Sequence, residues 1–308
     1  MNQIHISIVS PVYKAEGLID ELIARIIQEV SKITSHFEII LVEDGSPDKS
    51  WNEIAQNCEK DTRVKGISLS RNFGQHYAIT AGLDQSKGDW VIVMDCDLQD
   101  KPEEIGRLYK KALEGFDIVL GRRDKRKDTF FKKLFSKCFY FVFTIVTGYD
   151  YDGSIANFGI FNRKVIDSIS LMREKIRFFP TLVKWVGFKS TKLNIEHSKR
   201  LDGESSYNFR KLVNIALDNL LAYSDFPLWV TMKFGIGIAI ISIVMAILSV
   251  IRALNNQIPM FGYASIIICI CFFSGLIIII LGIIGLYLGK VFEGVKNRPI
   301  YIIKEIKN

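Results

Sequence analysis

The chain has 308 residues, of which 49% are hydrophobic, and its mean hydropathy of +0.19 is high for a purely soluble enzyme. Its formal net charge of +7 indicates an anionic partner, which a membrane surface or a phosphorylated substrate supplies as well as nucleic acid does. The five cysteines are odd in number and unpatterned in spacing, which indicates reduced packing residues in a cytosol-facing protein rather than a disulfide framework.

Strands and helices alternate over the first 120 residues. Short apolar runs predict five strands, at 4–10, 37–42, 64–69, 90–94 and 116–120. Helical stripes and helix-start signals predict four helices between them, at 17–33, 50–58, 74–85 and 102–113. This alternation predicts an α/β fold with a mostly parallel, doubly wound sheet.

The fourth predicted strand runs directly into two carboxylates, Asp95 and Asp97, which are followed by Gln99 and Asp100. Ligands of open α/β sheets bind beyond the carboxyl ends of the strands, and side chains at i and i+2 of an extended segment point to the same side. Two carboxylates placed in this way can hold one Mg²⁺ or Mn²⁺, with the other positions left to water and a substrate diphosphate. A lone D-x-D is also compatible with a solvated acidic turn, but the strand before it and the helix start after it favour the metal site.

A basic segment follows the fifth strand, within residues 121–145. Aromatic residues interleave with eight cations: Arg122, Arg123, Lys125, Arg126, Lys127, Lys132, Lys133 and Lys137. This pattern is typical of an amphipathic helix at a membrane surface, although a solvated helix packed on the sheet has the same composition. A nucleic-acid partner is not predicted, because no nucleic-acid-binding fold accompanies the segment.

The next region, 149–225, is less regular. Residues 158–161 and 192–196 could form strands, and residues 207–222 could form a helix. A polar, glycine-containing loop at 200–207 lies between the second strand and the helix.

Two long runs contain no charged residue, 234–251 and 253–289, and only Arg252 separates them. They predict membrane-spanning helices at about 228–251 and 262–288. A buried hairpin in a soluble protein is the alternative. The excess of positive charge after the second run places the main domain and both termini in the cytosol. We therefore predict a cytosolic catalytic domain at 1–226, a transmembrane hairpin at 227–290 and a basic cytosolic tail at 291–308.

Four motifs stand in the order and spacing of a known family: Ser10–Tyr13, Val42–Ser46, Ser70–Gly74 and Asp95–Glu103. Together they resemble family 2 glycosyltransferases of the polyprenyl-phosphate branch. That branch includes dolichol-phosphate mannose synthases and the bactoprenol glucosyltransferases of O-antigen modification. The similarity covers nearly the whole chain, including the terminal hairpin.

The resemblance implies a GT-A fold and three groups of site residues. The nucleotide sugar is expected near Pro11, Tyr13, Glu16, Asp44 (against the base), Asp97 and Gln99. Mg²⁺ or Mn²⁺ and the donor diphosphate are expected on Asp95, Asp97 and Gln99. The acceptor phosphate is expected near Arg122, Arg123, Arg200, Ser205 and Arg210. The expected catalytic residues are Asp95, Asp97, Arg122 and Arg123.

One position departs from the family pattern. The loop 203–207 has Ser206 where the usual glycine-x-serine-lysine-tyrosine pattern has lysine, which leaves the phosphate contacts of this loop open.

These features predict a membrane-anchored inverting glycosyltransferase. It would move a sugar, glucose or a related hexose, from a nucleotide donor to undecaprenyl phosphate, for glycosylation of the cell envelope or the O-antigen. We expect the nucleotide of the donor to be UDP. A lipid phosphate is already ionised at neutral pH, so the absence of a histidine in an obvious base position fits this acceptor. The enzyme would lie in the bacterial cytoplasmic membrane, and the sequence leaves its oligomeric state open, a homo-oligomer included.

Three other functions compete with this prediction. A processive polysaccharide synthase would need more spanning helices and a Q-x-x-R-W element. A catalytically silent membrane scaffold that binds nucleotide sugar or anionic lipid would not need the intact D-x-D. A nucleotidyltransferase usually carries a glycine-rich phosphate loop after its first strand, which the segment 10–14 does not provide.

Overall fold

The structure is a computed structural model that describes residues 4–123, 155–175, 177–196, 231–238, 240, 241, 244, 247, 248, 251 and 263–308. The contacts within the chain divide these residues into two compact units. The first unit holds the described residues of 4–196 together with 298–308, and the second holds those of 231–297.

The centre of the first unit is a parallel sheet with helices on both faces, as the sequence predicts. Its four central strands are β1 (Ile6–Val12), β2 (Phe37–Glu43), β3 (Val64–Leu69) and β4 (Trp90–Val93). The helices that connect them are α1 (Ile19–Val30), α2 (Ser50–Lys60) and α3 (Gln75–Gln85). β1 lies between β4 and β2, and β3 follows β2, all in parallel register.

Four more strands complete the sheet, which in the described part of the chain has eight. After the 3-10 turn Pro102–Glu104 come α4 (Ile105–Leu113), β5 (Ile118–Arg123), β6 (Ile155–Asn162), α5 (Arg163–Leu171), α6 (Phe179–Trp185), β7 (Ser190–Ile195) and β8 (Ile303–Lys307). The strand order is β7-β5-β6-β4-β1-β2-β3-β8. Both β6 and β8 run antiparallel to their neighbours. Because β6 is antiparallel to both β4 and β5, those two strands end at the same edge of the sheet.

Two apolar clusters cover the two faces of the sheet. One gathers residues of α1, α2 and α4, such as Leu22, Ile54 and Leu108, over one face. The other gathers α3, α5 and α6 over the opposite face, with the fully buried Phe161 at its centre. This packing explains why the central strands carry apolar side chains on both faces rather than on one face only.

The second unit contains α7 (Tyr263–Val295), which extends beyond the predicted 262–288 span. Of the described residues, one stretch is long and apolar enough to cross a membrane, Phe272–Phe292, with a mean hydropathy of 2.5. The first predicted span, 228–251, is described in part and is helical at 231–238 and at the described positions up to 251. Large apolar side chains are exposed in both stretches, for example Phe234, Ile241, Ile278 and Leu288.

Some sequence-based predictions concern residues that the structure does not describe, and one strand was not predicted. The basic segment beyond Arg123, the loop 200–207 and the helix at 207–222 lie outside the described residues. The final residues were predicted only as a basic tail, whereas Ile303–Lys307 form β8 and pair with β3.

A buried carboxylate joins three strands at the amino ends of the sheet. Glu38 on β2 is 1% exposed and accepts hydrogen bonds from the Ser7 hydroxyl (2.7 Å), the Lys65 ammonium (2.7 Å) and the Lys87 backbone N–H (2.7 Å). The Ser7 hydroxyl oxygen in turn accepts the N–H of Gly88 at 2.7 Å. A charge this deep is tolerated because it is paired and hydrogen-bonded.

Replacing Lys65 with methionine should therefore destabilise the fold. The change leaves the Glu38 charge buried without its counter-charge, which should lower the free energy of unfolding by about 3 kcal/mol in denaturant melts of the detergent-solubilised protein. Lys32→Met is the matched control, because Lys32 pairs with Glu29 at the surface and should change stability by less than about 0.5 kcal/mol. Equal effects of the two changes would contradict the role of the Lys65–Glu38 pair.

Candidate active site

The carboxylate pair follows the carboxyl end of β4, as predicted. Asp95 and Asp97 are partly exposed, directly after the buried strand. The backbone N–H of Gln99 donates to Asp97 Oδ1 at 3.2 Å, which closes a tight turn after the strand. In this turn Leu98 has a φ of +57°, and the burial of its side chain offsets the backbone strain. The turn fixes both carboxylates at the edge of the sheet.

A glutamine from the preceding helix reaches this pair. The side-chain amide of Gln75, the first residue of α3, donates to Asp95 Oδ1 at 2.7 Å. Sequence analysis did not single out Gln75. Its position was a usable signal, because it directly follows the Ser70–Gly74 motif and opens a helix whose amino end lies at the same edge as Asp95.

A second buried carboxylate holds the start of α3. Asp44, which is 2% exposed after β2, accepts the backbone N–H groups of Phe73 (2.7 Å) and Gly74 (2.8 Å), one on each oxygen. Burial raises the pKa of Asp44 and the neighbouring Glu43 charge adds to the rise, while the two N–H bonds oppose it. Both oxygens thus shape the 70–74 loop, and contact between Asp44 and a nucleotide base stays a prediction.

Glycine is required beside this carboxylate. Gly45 has a φ of +61°, and a Cβ there would overlap the backbone of Arg71 and Asn72. The loop after β2 therefore packs directly against the loop after β3, which Asp44 holds from the other side.

The loops that follow β1 and β2 are joined by hydrogen bonds. Asp48 accepts hydrogen bonds from the Ser46 and Ser50 hydroxyls, both at 2.6 Å, and from the backbone N–H of Glu16 at 3.2 Å. The Glu16 carboxylate accepts the N–H of Lys49 at 3.1 Å. Burial opposes ionisation of Asp48, but these hydrogen bonds outweigh it and lower its pKa to about 2. Glu16, predicted near the nucleotide, therefore lies in this joined loop pair.

The end of β1 touches the carboxylate turn. The Tyr13 backbone N–H donates to the Cys96 thiol, and the Tyr13 side chain is 45% exposed, while Pro11 is buried in the strand. Burial and the charges of Asp95 and Asp97 raise the pKa of Cys96 to about 12, so it stays a neutral thiol. The structure thus brings the predicted nucleotide residues of β1 next to the predicted metal residues.

The two arginines of β5 end at the same edge of the sheet, two strands from β4. Arg122 is exposed and lies opposite Ile155 of β6, and Arg123 lies opposite Ile195 of β7. The other predicted acceptor residues, Arg200, Ser205 and Arg210, lie outside the described residues.

His76 has a structural environment. Its ring meets Phe178 edge to face at 4.8 Å, and its Nδ1 accepts the Phe179 N–H at 3.4 Å. Burial, together with the charge of Arg177, lowers the pKa of His76 to about 4. His76 therefore stays neutral and packs at the start of α6.

The arrangement fits a hard divalent cation that the substrate helps to hold. Among the residues that the structure describes, His, Cys, Asp and Glu do not gather in groups of three or more that could hold a metal. Asp95 and Asp97 offer carboxylate oxygens, which Mg²⁺ and Mn²⁺ prefer, and both ions accept phosphate and water as further ligands. A metal–diphosphate complex supplies such further ligands through its phosphate oxygens.

Comparison with known proteins shows the family to which the chain belongs. Residues 7–170 match the sequence profile of Glycosyl transferase family 2. The chain is 35% identical to undecaprenyl-phosphate 4-deoxy-4-formamido-L-arabinose transferase of Proteus mirabilis, over 98% of this chain and 93% of the relative. It is 33% identical to the SfII prophage-derived bactoprenol glucosyl transferase of Shigella flexneri, over 97% of each.

A solved structure shares the fold. Glucosyl-3-phosphoglycerate synthase of Mycobacterium tuberculosis, crystallised with Mn²⁺, UDP and phosphoglyceric acid, superposes with a TM-score of 0.50 at 16% identity. The match covers 70% of this chain and 76% of that one. With the carboxylate pair at the end of β4 and the profile match over the sheet, the chain belongs to glycosyltransferase family 2.

Proposed function

We propose that the protein transfers a sugar, glucose or a related hexose, from a nucleotide donor to a polyprenyl phosphate at the cytosolic face of the membrane, with inversion at the anomeric carbon. The observation that carries the proposal is the pair Asp95 and Asp97 at the carboxyl end of β4, with Gln75 hydrogen-bonded to Asp95. The two named relatives act on undecaprenyl phosphate and bactoprenol, according to their names, and match this chain over almost its full length.

On this proposal the donor lies along the edge formed by β1, β2 and β4. Tyr13, Glu16 and Asp44 would line the nucleotide, and UDP is the nucleotide that we expect. Asp95, Asp97 and Gln99 would hold Mg²⁺ or Mn²⁺, which when bound offsets the charge of the departing diphosphate. The Gln75 amide orients the Asp95 carboxylate, and the turn at Leu98 keeps Asp97 facing the same edge.

The acceptor needs cations more than it needs a base. A lipid phosphate is ionised at neutral pH, so its oxygen can attack the anomeric carbon without losing a proton first. Two anionic groups must then approach each other, and arginines at the site would offset their repulsion. We propose that Arg122 and Arg123, at the end of β5, take that role together with Arg200, Ser205 and Arg210.

The fold of the C-terminus supports a membrane hairpin. β8 pairs with β3 inside the first unit, so a membrane-spanning part between Glu196 and Arg298 would return the chain to the side from which it left. Phe272–Phe292 is long and apolar enough for one crossing, and the uncharged run 234–251 would supply the second. The basic segment within 121–145 would then dock on anionic lipid at the cytosolic face.

The function is tested by a transfer assay. Purified full-length protein in detergent, given radiolabelled sugar nucleotides one at a time and a short polyprenyl phosphate, should convert one donor into a lipid-linked sugar. The product should carry the anomeric configuration opposite to that of the donor. EDTA should abolish the reaction, and Mg²⁺ or Mn²⁺ should restore it. Donor hydrolysis without any lipid product, or no reaction across the common donors, would contradict the proposal.

The topology is tested by reporter fusions. Fusions after Glu174 and after Asn308 should both report the cytosol, and a fusion after Asn256 should report the opposite side of the membrane. The fusion after Glu174 serves as the internal control, because it precedes both apolar runs. A reporter at Asn308 that is active only outside the cytosol would mean that one of the runs does not span.

A further inference from the structure

The segment that follows the membrane helix is tied to helix α3. α7 ends at Val295, and the chain enters the catalytic unit at Arg298. From there it runs to β8, and the carbonyl of Ile302 accepts the N–H of Ser70 at 2.9 Å. The short segment Arg298–Ile302 therefore connects the anchor to the sheet.

The segment holds α3 mainly through Asp84, near the carboxyl end of the helix. The Tyr301 hydroxyl donates to Asp84 Oδ2 at 2.6 Å, and Arg173 contacts both Asp84 oxygens at 2.7 and 3.1 Å. The Asp84 side chain is 11% exposed, so these charge-assisted bonds are shielded from water. Burial and the Asp84 charge raise the pKa of Tyr301, so its hydroxyl keeps its proton and remains a donor.

A second connection supports the first. The Lys175 ammonium donates a hydrogen bond to the Arg298 carbonyl at 2.5 Å. The backbone carbonyl of Lys175 accepts a hydrogen bond from the hydroxyl of Tyr77, in α3, also at 2.5 Å. The contacts of Tyr301 and Tyr77 thus fix α3 near both of its ends to the segment that leaves the membrane.

The amino end of the same helix carries Gln75, which holds Asp95. α3 is one uninterrupted helix about 16 Å long, so its backbone hydrogen bonds hold its two ends in a fixed relation, and Ala78, Ile79 and Leu83 pack it into the core. At Gly82 the helix lies so close to β1 that a Cβ would overlap Val9. A displacement at Asp84 is therefore passed to Gln75.

We propose that Tyr301 is a positioning residue: by holding Asp84, it sets the place of α3 and so the hydrogen bond from Gln75 to the Asp95 carboxylate. The inference rests on the proposed metal role of Asp95. It makes the segment after the membrane helix part of the active-site framework, beyond its role as a link to the anchor.

The test measures Mn²⁺ binding to the full-length protein in detergent, by electron paramagnetic resonance of the free ion and without donor. Tyr301→Phe removes only the hydroxyl and should weaken Mn²⁺ binding about threefold to tenfold, the range that one lost hydrogen bond allows. Tyr109→Phe is the matched control, because its hydroxyl bonds to His5 Nε2 at 2.7 Å at the opposite edge of the sheet. It should leave the affinity within about twofold of the unchanged protein.

A double-mutant cycle separates positioning from a general structural effect. If Tyr301 acts through Gln75, then Tyr301→Phe should have no further effect on Mn²⁺ affinity in the Gln75→Ala background. If the losses of Mn²⁺ affinity from Tyr301→Phe and Gln75→Ala add up in the double variant, the positioning role is wrong. It is also wrong if Tyr301→Phe leaves the Mn²⁺ affinity unchanged while Asp95→Asn lowers it. Neither result would overturn the metal site. An Asp95→Asn protein that binds Mn²⁺ as tightly as the unchanged protein would overturn the metal site itself, and this inference with it.

Discussion

The two hydrogen bonds from the backbone of Phe73 and Gly74 to the buried Asp44 carboxylate are the constraint on which the site depends. They fix the loop that starts α3 against the carboxyl end of β2. Because Gln75 is the next residue, the same bonds bring its amide to Asp95, which follows β4, on the far side of β1. A buried carboxylate thus assembles groups from non-adjacent strands into one edge, at the cost of burying a charge that the two N–H groups satisfy.

The catalytic unit behaves as a framework of loops joined by polar side chains. Asp48 and Glu16 link the loops after β1 and β2, and Gly45 lets the loops after β2 and β3 touch. Glu38 performs the corresponding task at the other edge, where it joins β1, β2 and β3. These hydrogen bonds and close contacts hold together the loops at the edge that carries Asp95 and Asp97.

Much of the parallel core could be predicted from sequence, because runs such as Phe37–Glu43 are mostly apolar and are bounded by turn residues. The position of Asp95 and Asp97 followed from the rule that ligands bind beyond the carboxyl ends of strands. The direction of β6 could not be predicted, since strand direction depends on pairing and not on composition. β8 was missed because Ile303–Lys307 has only two apolar residues, three positions apart, which does not match the period-two alternation that predicts a strand. Gln75 was missed because its contact with Asp95 depends on the strand order.

Three asparagine substitutions at the two ends of β4 test most directly whether the chemistry takes place at its carboxyl end. Rates of sugar transfer to polyprenyl phosphate would be compared for Asp95→Asn, Asp97→Asn and Asp89→Asn, the last lying at the amino end beside His5. We expect Asp95→Asn and Asp97→Asn to lose roughly a hundredfold or more in turnover, with unchanged melting temperatures, while Asp89→Asn retains nearly full activity. Near-normal turnover of Asp95→Asn and Asp97→Asn would contradict this placement of the chemistry.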